Sequence, residues 1–510
     1  MFPDRSRTTF IAIGLAAFGA LSVLPAGYML AQSLLGPAGL SPDAYAAVVF
    51  DARQRQLLAN TLQLGVGAAL VAALIGIPLG FALARVPVRA VRVLRVLLAA
   101  PLAVPPYILA LAWVYIAGSY SLPAAVLVLG AGFFPLVMLA TEAAARAVSG
   151  DLEEAGLMVA TPLRVLRNIT FPLMWPLVAA SMLLVFVLAI SEFGVPGLLR
   201  VRVFTTEVFT AFAALFDFRQ ATALALPLVV LTAAVATAAS RLAHAGRLTY
   251  RSGRSHGVRL RGRHWRIVAV LAAFGTIIVT VGLPVGALAR EAVGATRGAG
   301  ATSGAGQAIV NSVISSVAAA GMATAIGLAV GYWRARLVTR GTVAIDALLV
   351  TLFAVPSTVV GIGLIALWNR AALSAVYGTM GMVVVGAVAR FTPVAAVLLA
   401  GAIRQVTVTT EEVAAVGGAG WRRVLLNVLI PQIRPALAAS GLVVFVLAFG
   451  EIGTTILVSP PGESTLPIRV YTMIANAPAS QVARLALVQV AAALLPLLAV
   501  ATVRSARRAA

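Results

Sequence analysis

Along this chain long apolar runs alternate with short polar joints. The runs lie near 9–32, 60–83, 96–117, 122–143, 174–191 and 219–240, then 267–289, 309–333, 344–368, 378–402, 435–457 and 482–503. Each comes close to the roughly 20 apolar residues that an α-helix needs to cross the hydrocarbon core of a bilayer. The pattern predicts an all-α integral membrane protein with about twelve transmembrane helices. The first run has the length of a span and no small-residue cleavage site, so it is expected to be a retained helix and not a removed signal peptide.

The runs come in two sets of six. Moved along by 251 residues, "IGIPLGFALAR" (75–85) falls on "IGLAVGYWRAR" (326–336), Asn60 on Asn311, and "AVP" at 103–105 on "AVP" at 354–356. Further on the offset becomes 258, placing Phe133 and Pro135 on Phe391 and Pro393. At an offset of 259, "FVLAISEFG" (186–194) falls on "FVLAFGEIG" (445–453). Six is even, so the copies share one orientation and form two parallel six-helix repeats about an axis along the membrane normal, with a path at the centre. The expected division is a first half over 1–240, a basic linker over 241–266 and a second half over 267–510. Gly76-x-x-x-Gly80 and Gly327-x-x-x-Gly331 recur inside the repeat and predict close helix packing.

Composition agrees. Of 510 residues 61% are hydrophobic and 11% charged, and the mean hydropathy is +1.01, far oilier than a soluble domain. All 38 basic residues are arginine, against 16 acids, for a net charge of +22. Nucleic acid is the tempting partner, but the arginines sit mainly in short joints between apolar runs, where the bilayer accounts for them. Arg5 and Arg7, then Arg85, Arg89, Arg92 and Arg95, the acid-free linker 241–266, and Arg504, Arg507 and Arg508 all fall on one side of a twelve-span chain. That side is expected to be cytoplasmic, with both termini on it. The opposite stretch 294–307, rich in Gly, Ser and Ala, reads as a flexible outer loop.

The missing lysine excludes a phosphate-binding loop of the G-x-x-x-x-G-K-[ST] type, so the chain is not itself a P-loop ATPase. There is no cysteine, and His244, His256 and His264 all lie in the basic stretch, which reads as a solvated, lipid-facing linker in preference to a metal site; no catalytic constellation can be assembled.

Between the fourth and fifth runs of each half lies a longer polar joint, "AVSGDLEEAGLMVATPLRVLRNITFPLMWP" (147–176) and "QVTVTTEEVAAVGGAGWRRVLLNVLIPQIRP" (405–435). Both carry Glu-Glu, an Ala/Gly-rich patch, Arg164 or Arg423, Asn168 or Asn427, and paired prolines. The pattern predicts two short helices meeting at an angle, with small residues facing out to seat in another protein's groove and Glu meeting a partner's Arg.

These joints resemble the E-A-A-x-x-x-G-x9-I-x-L-P loop of binding-protein-dependent ABC transporter permeases. The second copy matches at Glu412, Ala414, Gly418, Val428 and Ile430-Pro431; the first has one residue fewer near 157–160, so its acid falls on Glu153 counted from one end and Glu154 from the other. The resemblance implies that Glu153, Glu154, Ala155, Gly156, Arg164 and Asn168, with Glu411, Glu412, Ala414, Gly417, Gly418, Arg423 and Asn427, form coupling loops. Implied partners are ABC ATPase subunits in two copies, which hold the ATP and magnesium, and a periplasmic or extracellular substrate-binding protein; this chain holds no cofactor. It also implies a bacterial inner-membrane location. "SEFGVPGLL" (191–199), "TTEVFTAF" (205–212) and "PPGESTLPIRVYTM" (460–473) look like the fused iron(III)-type permeases, whose relatives handle thiamine or phosphonates.

Glu192 and Glu451 close the fifth run of each half. They are expected either to face each other across the axis at an outer gate or to cap their own helix ends. A secondary transporter with two six-span halves is the competing reading; it needs ionisable residues deep within spans, whereas the acids here cluster at run ends and joints.

Overall fold

A computed structural model describes residues 5–33, 35–36, 39–40, 51–87, 91–249, 262–294, 304–338 and 340–509. Arg89, residues 250–261 of the linker with His256, and residues 295–303 of the outer loop lie outside the described residues. So do the side chains of Arg504, Arg507 and Arg508.

Nine helices among the described residues are long and apolar enough to cross a membrane. In the first half these are span 1 (Arg5–Met29), span 2 (Ala52–Arg85), span 4 (Leu122–Ala147), span 5 (Pro162–Ser191) and span 6 (Phe218–Gly246). In the second they are span 7 (Arg263–Val293), span 8 (Ala305–Arg336), span 10 (Met380–Gln405) and span 11 (Trp421–Phe449). The shorter apolar helix Ala479–Leu495 takes the place of span 12. A two-stranded hairpin, β1 (Leu35–Gly36) with β2 (Gly39–Leu40), follows span 1.

Four expectations change. Runs 96–117 and 344–368 are not straight spans: each is a helix pair, Val91–Ala103 with Pro106–Ala117 and Thr342–Ala354 with Ser357–Trp368, bent by 89° and 87°. The shared Ala-Val-Pro is the cause. A residue before proline is driven out of the α region, and Val104 and Val355 are extended, with ψ of 123° and 132°. Second, the span 6 helix continues to Thr249, and span 7 begins at Arg263, so both ends of the expected linker 241–266 are helical. Third, span 11 stops at Phe449, before Glu451. Fourth, only one short helix stands free in each polar joint, Gly150–Leu157 and Val408–Val416. The second expected helix runs on unbroken into span 5 or span 11.

Those long helices stay continuous through a π-helical turn. Such turns occur at Gly19–Val23, Leu166–Thr170, Ile278–Gly282 and Val424–Leu429, and each ends two residues before a proline: Pro25, Pro172, Pro284 or Pro431. Proline lacks an N–H and its ring crowds the carbonyl four residues back. The wider π turn re-registers the hydrogen bonds there, so the helix crosses the proline without breaking.

The glycine pairs do what was expected of them. A Cβ on Gly80 would collide with the Met138 carbonyl oxygen, and one on Gly331 would sit 3.0 Å from that of Ala396, so span 2 lies against span 4 and span 8 against span 10 at backbone distance. The halves also interlock. Span 1 packs on spans 8 and 10 of the second half, and span 7 on span 2 and the Val91–Ala99 helix of the first.

Candidate functional site

The two polar joints form matching structures at one face of the bundle. In the first, Arg85 at the end of span 2 donates from Nη2 to Oε1 of Glu153 at 2.6 Å, and Thr170 Oγ1 donates to the same oxygen at 2.7 Å. In the second, Arg336 at the end of span 8 donates from Nε to Glu411 Oε1 at 2.8 Å and from Nη2 to the Val406 carbonyl at 2.9 Å. Tyr332 donates to Glu411 Oε2 at 3.2 Å. All four charged groups are buried. Arg85 and Arg336 are related by the repeat offset, so Glu153 corresponds to Glu411 and Glu154 to Glu412.

This pairing locates the missing residue of the first joint. It lies in the turn between the short helix and the long one. The longer turn of the second joint passes through Gly418 in the left-handed region, φ 82°, whereas the described residues of the first turn keep negative φ. A left-handed residue favours glycine, which explains why Val159 is tolerated where the motif has Gly.

The joint residues divide cleanly. Glu153 and Glu411 point inward, Gly156 and Ala414 are half-buried, and Glu154, Ala155, Arg164, Asn168, Glu412, Gly417, Gly418, Arg423 and Asn427 are exposed. Small residues do face out at Ala155, Ala415, Gly417 and Gly418, and beside them Met158 (85%), Val159 (84%) and Val416 (90%) are the most exposed large side chains, with Leu163 and Val413 next to them. Short helices with charged edges and an uncovered apolar tip suit insertion into a partner's groove. Gly156 has a different use, since a Cβ there would lie 2.7 Å from Ile169 and hold the short helix off span 5.

The start of span 1 reaches the same face. Arg7 lies over the Tyr332 ring at 5.4 Å, and Phe10 packs on Trp421 with centroids 5.2 Å apart. Ion-pair clusters of one acid and two arginines flank the two joints: Glu142 holds Arg95 and Arg146 in the first half, and Asp346 holds Arg334, with Arg404 at 4.0 Å, in the second.

At the far end of spans 5 and 11 the two Glu-x-Gly segments meet. A Cβ on Gly194 would lie 3.3 Å from Ile452 Cγ2, and one on Gly453 would lie 3.5 Å from Phe193 Cβ. Each span also touches the kink of the other half: Ser191 donates to the Ala354 carbonyl, and Gly450 approaches Pro105. Both carboxylates accept from the backbone that follows them, Glu192 from Gly194 N at 3.0 Å and Glu451 from Thr454 N and Thr455 N, each at 2.9 Å. Each carboxylate therefore orders the segment that follows its span, and the two segments meet.

Sequence reading passed over Arg390. It lies ten residues into span 10, about 15 Å along the helix, and its Nη1 donates to Glu451 Oε1 at 2.7 Å. The competing reading required an ionisable group deep within a span, and this is one. Its signal was the repeat itself: at the 258 offset Arg390 falls on Gly132, a charge opposite a glycine amid matching neighbours. Arg85 and Arg336 stand at matching places in the repeat, but nothing in the linear order marks them as the partners of Glu153 and Glu411. Among the described residues, no group of three or more His, Asp or Glu could hold a metal ion.

The family model described as "binding-protein-dependent transport system inner membrane component" matches residues 76–245 and 323–507, once in each half. The chain is 24% identical over 433 residues to an Fe(3+)-transport system permease protein of Haemophilus influenzae, covering 83% of this chain and 85% of that one. It is 33% identical over 162 residues to a protein of Streptomyces antibioticus named as an ABC transporter permease, covering 32% and 69%. Over 193 residues it is 26% identical to a protein of Salmonella paratyphi A named for 2-aminoethylphosphonate transport, covering 36% and 71%.

Proposed function

This chain belongs to the family of binding-protein-dependent transport system inner membrane components, and from that premise we propose how it is driven and what it carries. It is a multi-pass inner-membrane permease of the ABC importer type, with both repeats on one chain. Two ATPase subunits dock on the face formed by Gly150–Leu157 and Val408–Val416, which is cytoplasmic, with both chain termini on it. A substrate-binding protein docks opposite. ATP and magnesium stay on the ATPase, and this chain hydrolyses nothing.

The observation that carries the coupling reading is the covalent and ionic continuity of each joint. The short helix is clamped to span 2 or 8 by a buried Arg–Glu pair and continues into span 5 or 11. Those helices are 30 and 29 residues long, about 45 Å, and reach the axis next to Glu192 and Glu451. A displacement of the short helix therefore moves two spans at once, and one of them ends where the halves meet. Differential contact with the open and closed ATPase dimer would bias which arrangement the halves take.

Iron(III) is the substrate best supported, because the relative that aligns over 83% of this chain is named for it. The division into two halves follows from the same reading, with the basic linker shorter than 241–266 because spans 6 and 7 extend into it. Arg390 does not restore the secondary-transporter alternative, since it is neutralised in place by Glu451. Reconstitution with the cognate ATPase and binding protein tests the function: ATP-dependent uptake is expected, and uptake without ATP that collapses with an ion gradient would overturn it.

A further inference from the structure

The two joints are not held alike. Each inward glutamate has its arginine, but the second clamp continues through aromatic rings into a helix of the first half. Tyr332, whose hydroxyl donates to Glu411 Oε2 at 3.2 Å, accepts from Trp421 Nε1 at 3.3 Å. The two rings are buried and meet edge to face, with centroids 5.9 Å apart. The start of span 1 closes onto both: Phe10 packs on Trp421, and Arg7 lies over the Tyr332 ring.

The repeat withholds this arrangement from the first joint. At offsets of 251 and 259, Tyr332 and Trp421 fall on Phe81 and Pro162, which have neither the hydroxyl nor the indole. Span 7 has the place of span 1 in the repeat, and "AAFG" at 16–19 falls on "AAFG" at 272–275, an offset of 256 that puts Phe10 on Arg266. In the first joint Thr170, a residue of the joint's own continuing helix, donates to the inward glutamate beside Arg85. Glu411 is thus tied to span 8 and, through two rings, to span 1. A buried network of bonded hydroxyl, indole and carboxylate with fixed ring geometry resists reorientation.

We propose that Arg7 and Phe10 are positioning residues for the second joint. Through Trp421 and Tyr332 they hold the Val408–Val416 helix in the orientation from which a push on it reaches span 11. The second joint is then the stiffer of the two, and the start of span 1 sets how much of the ATPase movement passes through it. The inference rests on the coupling reading above and adds the element that governs its efficiency.

The test begins with hydrogen–deuterium exchange of the purified full chain, read in peptides covering 408–416 and 150–157. F10A and Y332F are each expected to speed exchange about fivefold in the second joint, the size that losing one aromatic pair or one hydrogen bond allows, and to leave the first joint unchanged. The F10A/Y332F double variant should exchange no faster than the faster single variant, because both break one chain of contacts. F10Y keeps a ring and should retain the wild-type rate, and I13A, at an exposed position of span 1, should change nothing. Should F10A aggregate, Y332F decides, since it gives the second joint the residue that the first already has. In vesicles with the ATPase and binding protein, F10A is expected to hydrolyse about twofold or more ATP per iron(III) ion imported, and F10Y to match the wild type. Unchanged exchange at 408–416, equal acceleration in both joints, or wild-type ATP use despite a loosened second joint overturns the proposal. A wild-type chain that binds no ATPase sinks the coupling reading instead, so the two failures are told apart.

Discussion

Arg85 and Glu153 form a buried ion pair 2.6 Å long, and Arg336 with Glu411 forms its counterpart in the other half. Removing one member leaves a buried charge without compensation, at a cost of about 3–5 kcal/mol. Glu411→Ala is expected to lower the thermal midpoint of the purified chain markedly, and Arg336→Leu with Glu411→Leu to recover much of the loss. A Glu411→Ala chain melting with the wild type would show that the clamp carries no stability.

Glu412, one residue along, faces solvent. Glu412→Lys should melt within a degree or two of the wild type, because surface charges contribute little to stability, yet abolish ATPase association in pull-down and transport in vesicles. Normal transport by this variant would remove Glu412 from the docking surface.

Met158, Val159 and Val416 cap the same face. Val416→Asp places a charge where the coupling reading requires a dry contact, and ATPase affinity is expected to fall at least tenfold while folding is kept. Surface plasmon resonance against the immobilised ATPase measures it; an unchanged dissociation constant would move the contact elsewhere.

Gly418 takes a left-handed φ of 82°. A β-branched residue there costs about 1–2 kcal/mol, whereas asparagine is tolerated. Gly418→Val should therefore loosen the second joint, raising its proteolysis rate, and Gly418→Asn should not. Equal rates for both would mean that the turn has another conformation.

Gly80 lies against the Met138 carbonyl. Gly80→Val has to separate span 2 from span 4, and overpacking of this kind costs about 1–3 kcal/mol. The expected outcome is a lower melting midpoint with the same helical circular dichroism, and an unshifted midpoint would show that the spans can slide apart freely.

Much of the architecture was legible because the bilayer enforces simple rules. Hydrocarbon demands about 20 apolar residues per crossing, and duplication wrote the same apolar runs, glycine pairs and Glu-x-Gly segments twice. The kinks at Val104-Pro105 and Val355-Pro356 were written there too, as proline chemistry, but a hydropathy run does not register a right-angle bend. The π turns ahead of Pro25, Pro172, Pro284 and Pro431 were hidden for a related reason: proline ordinarily predicts a helix end, and only packing on both sides of the joint kept these helices whole.

What the linear order could not decide is which charge meets which. Glu153 and Glu154 are adjacent and chemically alike, and only the position of Arg85 at the end of a different helix turns one inward and leaves the other exposed. Arg390 is one more arginine of the chain until the fold sets it against Glu451. Pairing depends on distances between helices that are far apart in the chain, so the number of spans and their repetition came from the sequence, and the division of labour between like residues from the tertiary structure.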